Sequence, residues 1–155
     1  MKNVARQLAF ALISLVLLAG TGESDTRRLP SQIFVSGMSA GALGSDRFFI
    51  LGGSAASTTE NQTQTPIYAN GIFKELRCRA NAVLASDESW TLSLRVNGVT
   101  TALTCTIGNS ARTCTDLLNT VPVVSMDLVN LLGDNTAGAA PAATFHCTLI
   151  EYEYQ

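Results

Sequence analysis

The sequence predicts an all-β protein, a single antiparallel β-sandwich of about eight strands. Three observations carry that expectation. Apolar and polar residues alternate with a period of two through several short stretches, Trp90-Thr-Leu-Ser-Leu-Arg-Val96 being the clearest. Turn-forming residues separate those stretches at short intervals, with Gly-Gly at 52–53 and Asn-Gly at 70–71 and 97–98. Beyond the first twenty residues no stretch sustains a long 3.6-residue apolar period, so the crossover helices of a parallel sheet are not expected.

In chain order, residues 1–20 read as a secretory signal peptide. Lys2 and Arg6 precede the apolar run Leu8–Leu18, and Ala19-Gly20 offers small residues for cleavage. The run is short for a bilayer span, and Thr21 stands where a lipoprotein would need Cys, so no membrane span is expected after cleavage. Residues 21–45 read as a flexible arm with one strand-like piece, Gln32-Ile33-Phe34-Val35-Ser36. Pro30 stiffens its approach and Gly37 frees its exit. Ile33, Phe34 and Val35 are thus the candidate strand for pairing with a sheet edge, in the same subunit or in a neighbour.

The sandwich is expected over residues 46–155. Arg47–Leu51 reads as its first strand, 54–65 as a polar loop, and Pro66–Ala69 as a short edge strand. Ile72–Ala82 is a strand with Leu76, Cys78 and Ala80 inward and Glu75, Arg77 and Arg79 outward. After the turn Asp87-Glu88-Ser89, residues 90–116 read as three strands joined by tight turns at Asn97-Gly98 and Asn109-Ser110, with Leu103, Cys105 and Ile107 inward. Leu117–Thr120 and Val121–Leu132 follow, then a Gly/Ala-rich loop over 133–141 and a long closing strand, Ala143–Tyr154.

Composition narrows the partners. Ten basic residues less Lys2 and Arg6 leave eight against twelve acidic, a mature net charge of about −4. No basic cluster follows Arg27-Arg28, so no nucleic-acid partner is expected. Charged residues make up only 14% of the chain, a mix that suits extracellular assembled surfaces. The four cysteines behind an export signal read as two disulfides. Zinc would call for Cys-x-x-Cys-like spacing, which is absent. If Asn109-Ser110 is a two-residue turn, Gly108 faces Ala111 and Cys105 falls directly opposite Cys114 in a non-hydrogen-bonded pair. Cys78 and Cys147 then form the second bridge, between an early strand and the last.

Candidate chemistry is sparse. Gly37-Met-Ser39-Ala-Gly41 matches the Gly-x-Ser-x-Gly nucleophile elbow. The preceding βα units and a helix after it are missing, and the only histidine, His146, lies in a strand between inward-facing Phe145 and Cys147. His146 is expected to face solvent or a neighbouring subunit. Asp87, Glu88, Asp116 and Asp127 lack the Asp-x-Asp-x-Asp spacing of a calcium loop and read as turn residues. Tyr152 and Tyr154 alternate with Glu151 and Glu153 as possible contact residues.

Several pieces carry a family resemblance: Arg47-Phe-Phe-Ile-Leu-Gly-Gly-Ser, Gly71-Ile-Phe-Lys-Glu-Leu-Arg-Cys-Arg-Ala-Asn, Leu92-Ser-Leu-Arg-Val-Asn-Gly-Val, Ala102-Leu-Thr-Cys-Thr-Ile, and Asp127-Leu-Val before an Ala/Gly/Pro-rich loop and an aromatic-acidic closing strand. Over roughly residues 46–155 the chain resembles jelly-roll domains of bacterial and phage surface proteins, of the C1q/tumour-necrosis-factor-like type found at tail-fibre tips and on spore-surface collagen-like proteins. The family usually has Gly before the Asp-Leu-Val step, where this chain has Met126. The resemblance implies a jelly roll. The expected function is that of a secreted, non-catalytic structural subunit of an extracellular or virion surface assembly, self-associating as a trimer or filament and needing no cofactor or metal. The alternative is a monomeric carbohydrate- or receptor-binding module at the cell surface or in the periplasm; a serine esterase using Ser39 is the remote one.

Overall fold

The computed structural model describes residues 30–40, 46–84, 88–108, 110–135 and 143–153. Ten strands run through them: β1 (Pro30–Ala40), β2 (Arg47–Phe49), β3 (Ala56–Ser57), β4 (Thr65–Pro66), β5 (Gly71–Ala80), β6 (Ser89–Val96), β7 (Val99–Gly108), β8 (Thr113–Val123), β9 (Leu128–Asn135) and β10 (Ala143–Glu153), with one 3₁₀ turn at Glu60–Gln62. Every pairing is antiparallel. One sheet has the order β1-β10-β5-β8, the other β3-β2-β9-β6-β7 with β4 also on β9. The inner faces of both sheets supply one core, including Phe73, Leu76, Phe145 and Leu149 from the first and Phe49, Trp90, Leu92, Leu103, Ile107 and Leu131 from the second. Trp90 and Phe145 meet across it with ring centroids 5.3 Å apart. The protein is an all-β, antiparallel sandwich, and the expected signal peptide at 1–20 lies outside the described residues.

Alternation decides which side chains fill this core. Leu76, Cys78 and Ala80 are buried on β5 while Arg77 and Arg79 are exposed, and β7 buries Leu103, Cys105 and Ile107 against exposed Ala102, Thr104 and Thr106. The alternation on β5 has a break, however. Phe73 is also buried, at the opposite parity. Glu75 lies between the two sets with φ 58°, and β5 slips register there against both neighbours. This bulge lets one strand keep an apolar face inward on both sides of the slip.

Asn97-Gly98 forms the expected turn between β6 and β7, with φ 51° and 78° and Val96 opposite Val99. Gly133 on β9 serves a different purpose. A Cβ there would come within 2.8 Å of the Phe49 ring, so its absence admits the ring against the strand.

Four expectations need correction. The segment 90–116 is not a three-stranded meander. Ala111 N–H does donate to Gly108 O (3.0 Å), making the tight turn, but beyond it β7 stays with β6 while β8 joins β5 in the other sheet. Residues 117–132 are divided at a turn over 124–127, so that Leu117–Val123 continue β8 and β9 begins at Leu128. Residues 133–135, expected in a loop, complete β9. The strand-like piece of the arm is longer than expected, since β1 covers eleven residues.

Candidate interaction surface

Both expected disulfides are present, Cys78–Cys147 and Cys105–Cys114. The first joins directly opposed residues of β5 and β10. The second is not the within-hairpin bridge expected; it crosses from β7 to β8 and ties the two sheets at their shared corner. The bridge departs from the expected placement because the chain changes sheets between the two cysteines.

Asp116 reinforces the same corner. Its buried carboxylate accepts from the backbone N–H of Thr104 on β7 (3.0 Å), from those of Leu118 and Asn119 (3.1 Å each), and from Asn119 Nδ2 (2.8 Å). Burial pushes the Asp116 pKa up, and the hydrogen bonds from Asn119, Thr104 and Leu118 together more than reverse this, leaving it below its ordinary value. Asp116 thus does more than the turn residue its spacing suggests, and spacing gives no signal for this role.

The other acidic candidates are scattered. Asp127 forms a clasp at one end of the sandwich. It accepts from Val124 N–H (2.9 Å) and Asn97 Nδ2 (2.7 Å), which lower its pKa, while Asn97 Oδ1 accepts from Leu128 N–H (2.9 Å). Glu88 opens the approach to β6 and Asp87 lies outside the described residues. Asp134 is the exception in sign. Burial, followed by the charge of Asp46 and a hydrogen bond with it, raises its pKa.

Of the remaining candidates, His146 is exposed on β10, as its alternation with buried Phe145 and Cys147 requires. Ser39 sits within β1, registered opposite Thr144, and not at a strand-to-helix turn. Ile33, Phe34 and Val35 pair with Leu149, Thr148 and Cys147 of β10 in the same chain. Tyr152 on β10 carries the Lys74 ammonium 4.0 Å above its ring; Tyr154 lies outside the described residues.

Around the Asp127 clasp three connections are bound together. Ile67 N–H donates to Asp127 O (2.9 Å), Met126 N–H to Ile67 O (2.6 Å), and Ser125 N–H to Asn70 Oδ1 (2.9 Å). Arg95 braces the neighbouring turn. Its guanidinium grips both oxygens of Glu60 (2.6 and 3.1 Å), donates to Thr100 Oγ1 (2.6 Å) and to Gly98 O, and lies over the Phe48 ring. These tied loops hold large apolar side chains in water: Tyr68 at 79% exposure, Met126 at 66%, Val99 at 65% and Val124 at 58%, with Leu128 beside them. Apolar chains held out on a braced scaffold make this end the candidate contact surface. No local sequence signal marks this group, because its members come from three separate turns. A second exposed apolar pair, Leu117 and Leu118, lies on β8 at the bulge opposite Glu75.

Among the described residues no helix is long and apolar enough to cross a membrane. The chain matches no protein-family model and no curated protein.

Proposed function

We propose that the protein is a secreted, non-catalytic structural subunit, a jelly-roll module that associates with copies of itself in an extracellular or virion surface assembly. The jelly-roll part of this reading is supported by the pairing order. Setting aside the two-residue strands β3 and β4, the eight remaining strands pair from the outside inward: β1 with β10, β2 with β9, β5 with β8 and β6 with β7. Two disulfides suit an oxidising compartment.

The observation that carries the self-associating part is the braced apolar end formed by Tyr68, Val99, Val124, Met126 and Leu128. The hydrogen bonds beneath these side chains already fix their backbones, so docking a partner there orders little that is not ordered already. The β1–β10 pairing offers a second route. Made between chains instead of within one, the same ladder links subunits into a filament by strand exchange.

The test is size-exclusion chromatography with light scattering on the mature chain and on Tyr68→Ser/Val124→Ser. The expected result is an oligomer for the native chain and folded monomers for the variant, with stability changed by no more than about 0.5 kcal/mol. A native monomer that binds on a glycan array overturns this reading in favour of the carbohydrate-binding module. Ester hydrolysis lost in Ser39→Ala overturns its non-catalytic part.

A further inference from the structure

Cys147, Cys78 and Cys114 stand in one row across the first sheet, Cys147 opposite Cys78 and Cys78 opposite Cys114. Cys105 reaches the row from β7 of the other sheet through its bridge to Cys114. The Sγ atoms of Cys78, Cys105 and Cys114 therefore all lie within 4.8 Å of one another, and the two disulfides are neighbours. Burial separates the four cysteine residues. Cys78, Cys105 and Cys147 retain 3%, 6% and 2% of their exposure, whereas Cys114 is only partly buried. A thiol arriving from solvent reaches Cys114 first.

We propose that the four cysteines form one thiol–disulfide exchange site, at which a dithiol attacking Cys114 reduces the protein through Cys105 and opens the buried Cys78–Cys147 bridge. In the first step a thiolate of the dithiol bonds to Cys114 Sγ, the Cys105–Cys114 bond breaks, and Cys105 leaves as the thiolate. Cys105 then attacks Cys78 Sγ, the member of the second bridge that belongs to the close group. A Cys78–Cys105 bond forms, and Cys147 departs as a thiolate that takes a proton from water. The second thiol of the dithiol resolves the mixed disulfide and releases Cys114 as a thiol. The dithiol is oxidised by two electrons, and the protein passes from two bridges to one bridge and two thiols. The surviving bridge joins β5 to β7, so β10 and the β1 strand paired with it lose their covalent tie to β5.

The experiment uses the full chain in native buffer at about pH 8 with limiting dithiothreitol. Samples are quenched with acid over time, alkylated, and peptide-mapped without reduction. The expected species carries Cys78–Cys105 with alkyl groups on Cys114 and Cys147. If every singly reduced molecule instead keeps Cys78–Cys147 and carries alkyl groups on Cys105 and Cys114, the site does not exist. In Cys105→Ser/Cys114→Ser the buried bridge has no internal nucleophile. Its reduction is expected to slow by at least about tenfold relative to the native chain; an unchanged rate overturns the proposal.

Discussion

Met126 occupies the left-handed backbone region at φ 77°, where a side chain with a Cβ costs about 1–2 kcal/mol relative to glycine. A glycine would adopt this conformation without strain, and here Met takes it. Met126→Gly should therefore raise stability by about 1 kcal/mol, read as a higher denaturant midpoint at constant slope. The strain is retained at a residue that projects into the exposed apolar end, which fits a side chain kept for contact. Asp116 makes the opposite kind of contribution. Its folded pKa is depressed below 3.8, so the stability it supplies is fully present above about pH 4 and is lost as pH falls through the lowered folded value. Asp116→Ala should cost about 1–2 kcal/mol near neutral pH, because it removes the charge-assisted hydrogen bonds from Thr104, Leu118 and Asn119. It should also flatten the acid limb of stability measured from about pH 4 downward. Asp134, with its raised pKa, works in the other direction, as its burial penalty is relieved when acid protonates it. The measurement is accordingly the difference between variant and native chain at each pH.

Among the elements, the bridges differ in what they enclose. Cys78–Cys147 spans 69 residues of sequence and Cys105–Cys114 only 9. In the chain-entropy model these contribute about 4 and about 2.5 kcal/mol, so Cys147→Ser should lower the melting temperature more than Cys114→Ser. Equal losses would count against loop length as the controlling variable. The strands themselves were largely legible in the sequence. The inward faces of β6, β7 and β10 and the second half of β5 follow from local alternation, and the Asn97-Gly98 turn from two residues that tolerate positive φ. The partner of each strand was less legible. Cys105, Leu103 and Ile107 point inward whether β8 pairs with β7 or crosses to the other sheet, so alternation could not reveal that crossing. Glu75 alternates in sequence as an ordinary outward residue, because a bulge depends on both neighbouring strands. The Arg95–Glu60 pair joins residues 35 apart, and nothing local to either announces the other. The apolar end escaped notice for the same reason.

At the scale of the whole molecule, the outside-in pairing puts the first and last described strands side by side. Pro30 lies opposite Tyr152, so the chain enters β1 and leaves β10 at the same end of one ladder. This placement has a mechanical consequence for the chain under tension. A pull applied through the two termini loads the β1–β10 hydrogen bonds one after another, so that ladder unzips instead of shearing. Once β1 has peeled away and the chain up to Cys78 has straightened, the load crosses from Cys78 to Cys147 through sulfur. The chain between these two residues, 69 positions apart, then carries no tension. At about 3.5 Å per residue, roughly 240 Å of chain is withheld from extension. Single-molecule pulling on the oxidised chain should stop short of the fully reduced chain by about that length, and equal extensions would mean that the bridge does not bear the load. Under such a load the outer strand acts as a give-way element and the bridged body as an inextensible link.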